Sequence, residues 1–319
     1  MNNSFLIKHN IFPIESKISY AHKLMSLGSC FSENIGNKLA DLYFNIDINP
    51  FGVLFNPISI SKSLYTLLEN EILSKEDTFQ HNSLWSSFSN STLFSSIHQE
   101  ECLSNINSRI QKGHTQLLNS DFLLITFGTA WVYELKETKE VVANCHKLPS
   151  GEFNRRRLTV DEIVENYSIL FQKLHAINSD MQVIFTVSPV RHWKDGSHEN
   201  NISKGILHIA VDELNRLYDY IHYFPAYEIQ IDELRDYRFY AEDMVHPSET
   251  AINYIWQKFI EFCIDENAIA LMKRIADIKL MENHRPIHPN LPEYEKLIKQ
   301  LSSKKEQIIN EFPFLKGRL

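Results

Sequence analysis

Six residues, Phe122-Leu-Leu-Ile-Thr-Phe127, run almost wholly apolar between Asp121 and Gly128 and leave this 319-residue chain few architectures. A strand with one wet face alternates polar and apolar residues. A continuous apolar run fits a strand buried on both faces, the situation inside a parallel sheet covered by helices. Val183-Ile-Phe-Thr-Val187 repeats the pattern, and Lys23 to Leu27 forms a shorter version ending at Gly28. Helical periods fall between them: Glu33 to Tyr43, 57 to 72, Thr159 to His175, Ile202 to Tyr220 and Ser248 to Ile264. Phe44 to Ile48 reads as a second strand, closed by Asn49-Pro50-Phe51-Gly52, and His222 to Phe224 as the last. Strand–helix alternation at this spacing predicts an α/β fold, a mostly parallel sheet with helices on both sides.

Around this frame the sequence predicts an irregular, Ser- and aromatic-rich insertion at about 73–115 and a hairpin at about 131–147. Residues 1–264 form the expected main domain, and 265–319 a charged, helical C-terminal appendage interrupted by Pro286, Pro289 and Pro292. Pro247 is expected to open the last helix of the main domain.

Composition removes several function classes. Lys plus Arg number 32 against 40 Asp plus Glu, a formal charge of -8, so the overall field repels nucleic acid and anionic headgroups. No apolar run approaches the ~20 residues of a bilayer span, and the N-terminus lacks the apolar core of a secretory signal, which predicts a cytoplasmic protein. The four cysteines contain no CxxC pair, and the 14 histidines form no HExxH, so neither a disulfide framework nor a metal site is expected. Neither GxGxxG nor a Walker loop occurs, and no cofactor is expected.

In such a fold ligands bind at the carboxyl ends of the strands. Gly28-Ser29-Cys30, Gly128-Thr129 and Ser188-Pro189 all fall on that edge. Ser29 and Cys30 stand where a strand turns into a helix, whose free N–H groups stabilise an anion, so a thiol there is expected to ionise readily. Asp243 and His246, three residues apart, suit a carboxylate that orients an imidazole and leaves its second nitrogen free as general base. His146, Arg191 and His192 lie beside the strand ends, where substrate contact and loop packing are equally open readings. Arg155-Arg156-Arg157 reads as a solvated face, and Arg235, Asp236 and Arg238 as a scaffold for the Asp-His loop.

These residues resemble the GSCFA family, grouped with the SGNH or GDSL-like hydrolases. The resemblance is carried by Gly28-Ser29-Cys30-Phe31-Ser32, Asn49-Pro-Phe-Gly52, Thr126-Phe-Gly-Thr-Ala-Trp131, Asn144-Cys-His-Lys147, Ser188-Pro-Val-Arg-His192 and Asp236-Tyr-Arg-Phe-Tyr240, followed by Asp243-Met-Val-His246-Pro247. It runs from about residue 5 to 264. It implies a three-layer, flavodoxin-like SGNH fold of about five strands and an active site for ester or acyl bonds, with no cofactor. The substrate would be a small-molecule or glycan acyl compound. Asp243 and His246 match the Asp-x-x-His block. The nucleophile falls on Cys30, or on Ser29 if the match shifts by one residue. Gly52 and Gly128, with Thr129, would match the oxyanion blocks. The Asn expected after the second is absent, leaving Asn144 or His146 as replacement donor. Hydrolysis, O-acyl transfer to a carbohydrate-like acceptor, and a degenerate carbohydrate or acyl-ligand binder all fit this resemblance.

Overall fold

The computed structural model describes residues 7–283 and 292–319. Pro286 and Pro289 lie outside the described residues. Five strands, β1 (Lys23–Gly28), β2 (Asn45–Ile48), β3 (Phe122–Phe127), β4 (Gln182–Val187) and β5 (Ile221–Tyr223), form one sheet in the order β5-β4-β3-β1-β2. Every pairing is parallel. This is the flavodoxin-like order, and the chain changes direction across the sheet between β1 and β3, where an open α/β sheet leaves its ligand crevice.

The apolar runs are continuous because β1, β3 and β4 each feed two cores. Met25, Leu27, Leu123, Ile125, Phe127, Val183, Phe185 and Val187 face one cluster, with α2 (Pro57–Glu69), α3 (Gln99–Leu118), α4 (Val160–Ile177) and α5 (Gly196–Leu217). Leu24, Phe122, Leu124 and Ile184 face the other, with α1 (Cys30–Asp41), α6 (Glu249–Cys263) and α7 (Glu266–Glu282). The period-2 alternation is therefore present, with apolar residues on both sides of it. From the last helix, α8 (Pro292–Glu311), and the turn beyond it, Ile308 and Leu315 enter this second cluster beside Ile275 and Ile278.

Local sequence signals set the helix starts. Thr159 and Glu162 form a reciprocal capping box at α4 (Glu162 N–H to Thr159 Oγ1, 3.2 Å; Thr159 N–H to Glu162 Oε2, 2.8 Å). Asn56 accepts the Ser59 N–H at 2.8 Å, and Pro57 follows at the first helical position.

Five expectations need correction. The supposed irregular insertion contains α3, 20 residues long, which buries Cys102, Ile106, Ile110, Gly113 and Leu117 on one stripe. Gly113 belongs to that stripe because a Cβ there would lie 2.7 Å from Leu67, so α2 and α3 pack closely. Helix α5 begins at Gly196, ahead of Ile202. The hairpin strands Trp131–Leu135 and Val141–Val142 gain a third, Phe153–Arg157, to make a small antiparallel sheet. Its arginines are not merely solvated: Arg155 pairs with Asp195, Arg156 with Glu134 and Glu162, and Arg157 with Glu199. Pro247 precedes the cap of α6, and Ser248 Oγ performs the capping. No helix among the described residues is long and apolar enough to cross a membrane.

Candidate active site

Strand β1 ends at Gly28, whose φ of +139° suits only glycine; a Cβ there would lie 2.2 Å from the Thr126 carbonyl oxygen of β3. Its N–H donates to Asn49 Oδ1 at 2.9 Å and its carbonyl accepts from Leu54 N–H at 2.9 Å, so the strand tip is held on both sides. Ser29 then takes the N-cap position of α1, its Oγ accepting the Phe31 N–H at 3.4 Å, and is almost fully buried. Cys30 is the first helical residue and half-buried. As the first helical residue, its N–H has no acceptor inside α1.

Far along the chain, a loop delivers the second half of the site. A bridge between Tyr240 and Pro247 closes its neck, and Ala241 N–H donates to the His246 carbonyl at 2.7 Å. Met244 turns the loop with a φ of +58°. Asp243 Oδ1 accepts the N–H groups of Val245 and His246, both at 2.9 Å, and Oδ2 meets His246 Nδ1 at 2.6 Å. These backbone donors, followed by the imidazole, hold the Asp243 carboxyl down to about 2. The carboxylate thus fixes the ring by Nδ1 and leaves Nε2 for other work. Asp236 accepts the Arg238 N–H at 3.0 Å just upstream, and the Arg238 guanidinium lies 4.9 Å over Phe239.

Ser29, Cys30 and His246 line one open cleft of about 330 Å³, with Phe55, Ser188, Val190, Arg191, His192, Trp193, Lys194 and Val245. It opens at the carboxyl edge, beside the end of β1 and the loop after β4. Neither Ser29 Oγ nor Cys30 Sγ hydrogen-bonds His246, though all three line the cleft. Burial, only partly offset by its own N–H, pushes the Cys30 thiol up. That direction runs opposite to the ready ionisation expected at the helix start, with burial as its largest cause.

The expected oxyanion donors are elsewhere. Gly52 N–H donates to the Asn49 carbonyl at 2.8 Å, and its α-carbon packs where a Cβ would meet Ser91 Oγ at 2.0 Å. The N–H groups of Gly128 and Thr129 both donate to the Phe55 carbonyl, at 2.8 and 2.9 Å. Thr129 Oγ1 lies 3.1 Å from Ser203 Oγ. Asn144 Oδ1 accepts the His146 N–H at 2.8 Å, and His146 Nε2 meets the Ser87 carbonyl at 2.8 Å with its ring against Phe79 and Phe88. None of these five lines the cleft. Arg191 and His192 do. Burial first, then Lys204, pushes the His192 imidazole down to about 4, so it is neutral near pH 7. Among the described residues, no hydrogen bond engages that ring.

Sequence reasoning overlooked Phe55, Trp193, Lys194 and Lys204. Lys204 is buried on α5, its Nζ donating to the carbonyls of Gly128 and Ser188, both at 2.7 Å, and burial pushes it down to about 7. A signal existed: Asn200, Ser203 and Lys204 share a stripe with the buried Leu207, Val211 and Leu214, so the inward face of α5 turns polar at its N-terminal end.

The chain belongs to the GSCFA family, whose model matches residues 23–259. No curated protein matches it significantly. Among solved structures it is similar to an acetyl esterase mutant with an acetate ion (11% identity, TM-score 0.36, covering 81% of this chain and 99% of that one). It is similar also to a Clostridium thermocellum family 3 carbohydrate esterase (15%, TM-score 0.31, covering 80% and 98%). A Talaromyces cellulolyticus carbohydrate esterase of family 3 compares at 11% and TM-score 0.35, covering 80% and 99%.

Proposed function

We propose that this protein is an SGNH-like hydrolase that cleaves an ester or other acyl bond, of a small molecule or glycan, through a covalent intermediate on Cys30. The observation that carries the reading is the meeting of Cys30 and the Asp243-oriented His246 across one cleft. Ser29 is less suited to attack, because it is buried and its oxygen already caps α1.

Substrate carbonyl would enter between the two side chains. Cys30 Sγ bonds to the acyl carbon as its proton passes to His246 Nε2. The ester C–O bond then breaks, and His246 returns the proton to the departing alcohol oxygen. Water, deprotonated by the same nitrogen, attacks the thioester and frees the acid and the thiol. Because burial keeps the thiol protonated at rest, His246 acts as a true general base. The Cys30 N–H at the start of α1 supplies one donor to the oxyanion, and the neutral His192 ring, with one N–H, supplies a second.

Reaction with 4-nitrophenyl acetate, followed by peptide mass spectrometry, tests this. An acetyl group trapped on Cys30, and acylation slowed roughly 10²–10⁴-fold by His246→Ala, is the expected result. An adduct on Ser29 would transfer the role to the hydroxyl. Absence of both adduct and turnover across acyl donors would remove the enzymatic reading.

A further inference from the structure

The protein carries a net charge of -8, yet among the described residues its cleft is lined by Arg191 and Lys194 and by no Asp or Glu. Arg191 is bound only in part. One amino group donates to the neutral Asn201 Oδ1 at 3.0 Å, its Cζ lies 4.8 Å from the Trp193 ring centroid, and its Nε is buried without a partner among the described residues. No described carboxylate lies within ion-pairing distance of it, whereas Arg155, Arg156 and Arg157 on the adjoining small sheet are all ion-paired. Lys194 Nζ donates to the neutral Tyr133 hydroxyl at 2.6 Å. Two acids adjoining the cleft in sequence are engaged already, Asp195 by Arg155 and Asp243 by His246.

A buried guanidinium N–H without an acceptor is costly, and a guanidinium fork matches the paired oxygens of carboxylate or phosphate. We propose that the cleft recognises acyl esters bearing a carboxylate or phosphate group, which Arg191 and Lys194 bind while the ester carbonyl lies between Cys30 and His246. The inference rests on the ester-cleaving reading for the chemistry, but its recognition half stands by itself. Trp193, 49% exposed and stacked on Arg191, reports on occupancy of this site.

Titration of the full-length protein with glucuronate, glucose 6-phosphate and glucose, followed by tryptophan fluorescence, tests the recognition. At low salt either or both anions are expected to bind about tenfold or more tightly than glucose, and the gap should close as salt rises. Binding of glucuronate alone assigns a carboxylate ligand, and of glucose 6-phosphate alone a phosphate. Arg191→Gln should abolish the preference, and Arg191→Lys, which keeps the charge but loses the fork, should retain part of it. Equal binding of glucose and both anions, no saturable binding of either anion, or a preference that survives Arg191→Gln combined with Lys194→Gln would overturn the proposal. Turnover of the acetylated forms of the same three sugars is a separate measurement. Anion preference without adduct or turnover on these esters or on 4-nitrophenyl acetate removes the hydrolase reading and leaves the recognition in place; turnover without preference does the reverse.

Discussion

At the scale of single residues, the site depends on a few backbone and titration properties. Gly28→Ala would force a Cβ against the Thr126 oxygen at a φ that L-residues avoid, and should cost about 1–3 kcal/mol. A denaturant midpoint unchanged by the substitution would contradict the close approach of β1 and β3. Cys30 alkylation by iodoacetamide should keep accelerating beyond pH 9.0, because burial raises the thiol; a plateau near neutrality would indicate a resting thiolate instead. His192, lowered to about 4, is protonated in the unfolded chain but not in the folded one between about pH 6.5 and 4. The unfolded state therefore binds more protons in that window, and stability falls as pH drops through it. His192→Gln should flatten that part of the stability–pH curve, and NMR should find the ring neutral down to about pH 4. The Asp243–His246 pairing was legible from its spacing, since three residues of one loop can meet without help from the rest of the fold. The oxyanion assignments were not, because whether an N–H is free depends on which carbonyl the fold brings to it.

Helix α5 shows how one element organises several loops. Asn200 accepts the His192 N–H at 2.9 Å, Ser203 accepts the Ala130 N–H at 2.8 Å, and Lys204 ties the Gly128 and Ser188 carbonyls together. Three consecutive buried polar positions thus tie down the cleft wall and the strand ends of β3 and β4. Lys204→Met should strand two buried carbonyls and cost about 1–3 kcal/mol at pH 9, where the amine is neutral. The cost should shrink at pH 6, since the substitution also relieves a buried charge. Between about pH 7 and 10.5 the unfolded lysine holds a proton that the folded one lacks, so wild-type stability should rise with pH there and the variant should lose that slope. Urea titrations at pH 6, 9 and 10.5 check both. Helix α3 escaped sequence reading for a different reason. Its buried stripe includes Cys102 and Gly113, small residues whose burial comes from tight packing and not from hydrophobicity.

For the molecule as a whole, the second core runs without a break from Leu24 of β1 through Ile275 and Ile278 of α7 to Ile308 and Leu315. Ile308→Ala should therefore cost about 2–5 kcal/mol and lower the midpoint of a single unfolding transition seen by both circular dichroism and tryptophan fluorescence. A separate low-temperature transition confined to the C-terminal helices would show that residues 265–319 melt independently. Charge is also distributed at this scale: a protein with a net charge of -8 places in its cleft two cations that pair with no carboxylate among the described residues, so attraction of an anion there is local and should weaken with salt.

Sequence alone determined what short stretches of chain decide among themselves. Apolar runs buried on both faces require a covered parallel sheet, Thr159-x-x-Glu162 starts a helix, and Asp243 orients His246 from within its own loop. Only the tertiary structure decided which groups share the cleft. It placed His246 and Cys30 on the lining of one cleft. It withdrew Asn144 and His146 to a packed aromatic corner, and consumed the Gly52, Gly128 and Thr129 N–H groups on the chain's own carbonyls. The reason is physical: burial and hydrogen-bond satisfaction are set by neighbours remote in sequence, and a motif carries no record of what will pack against it.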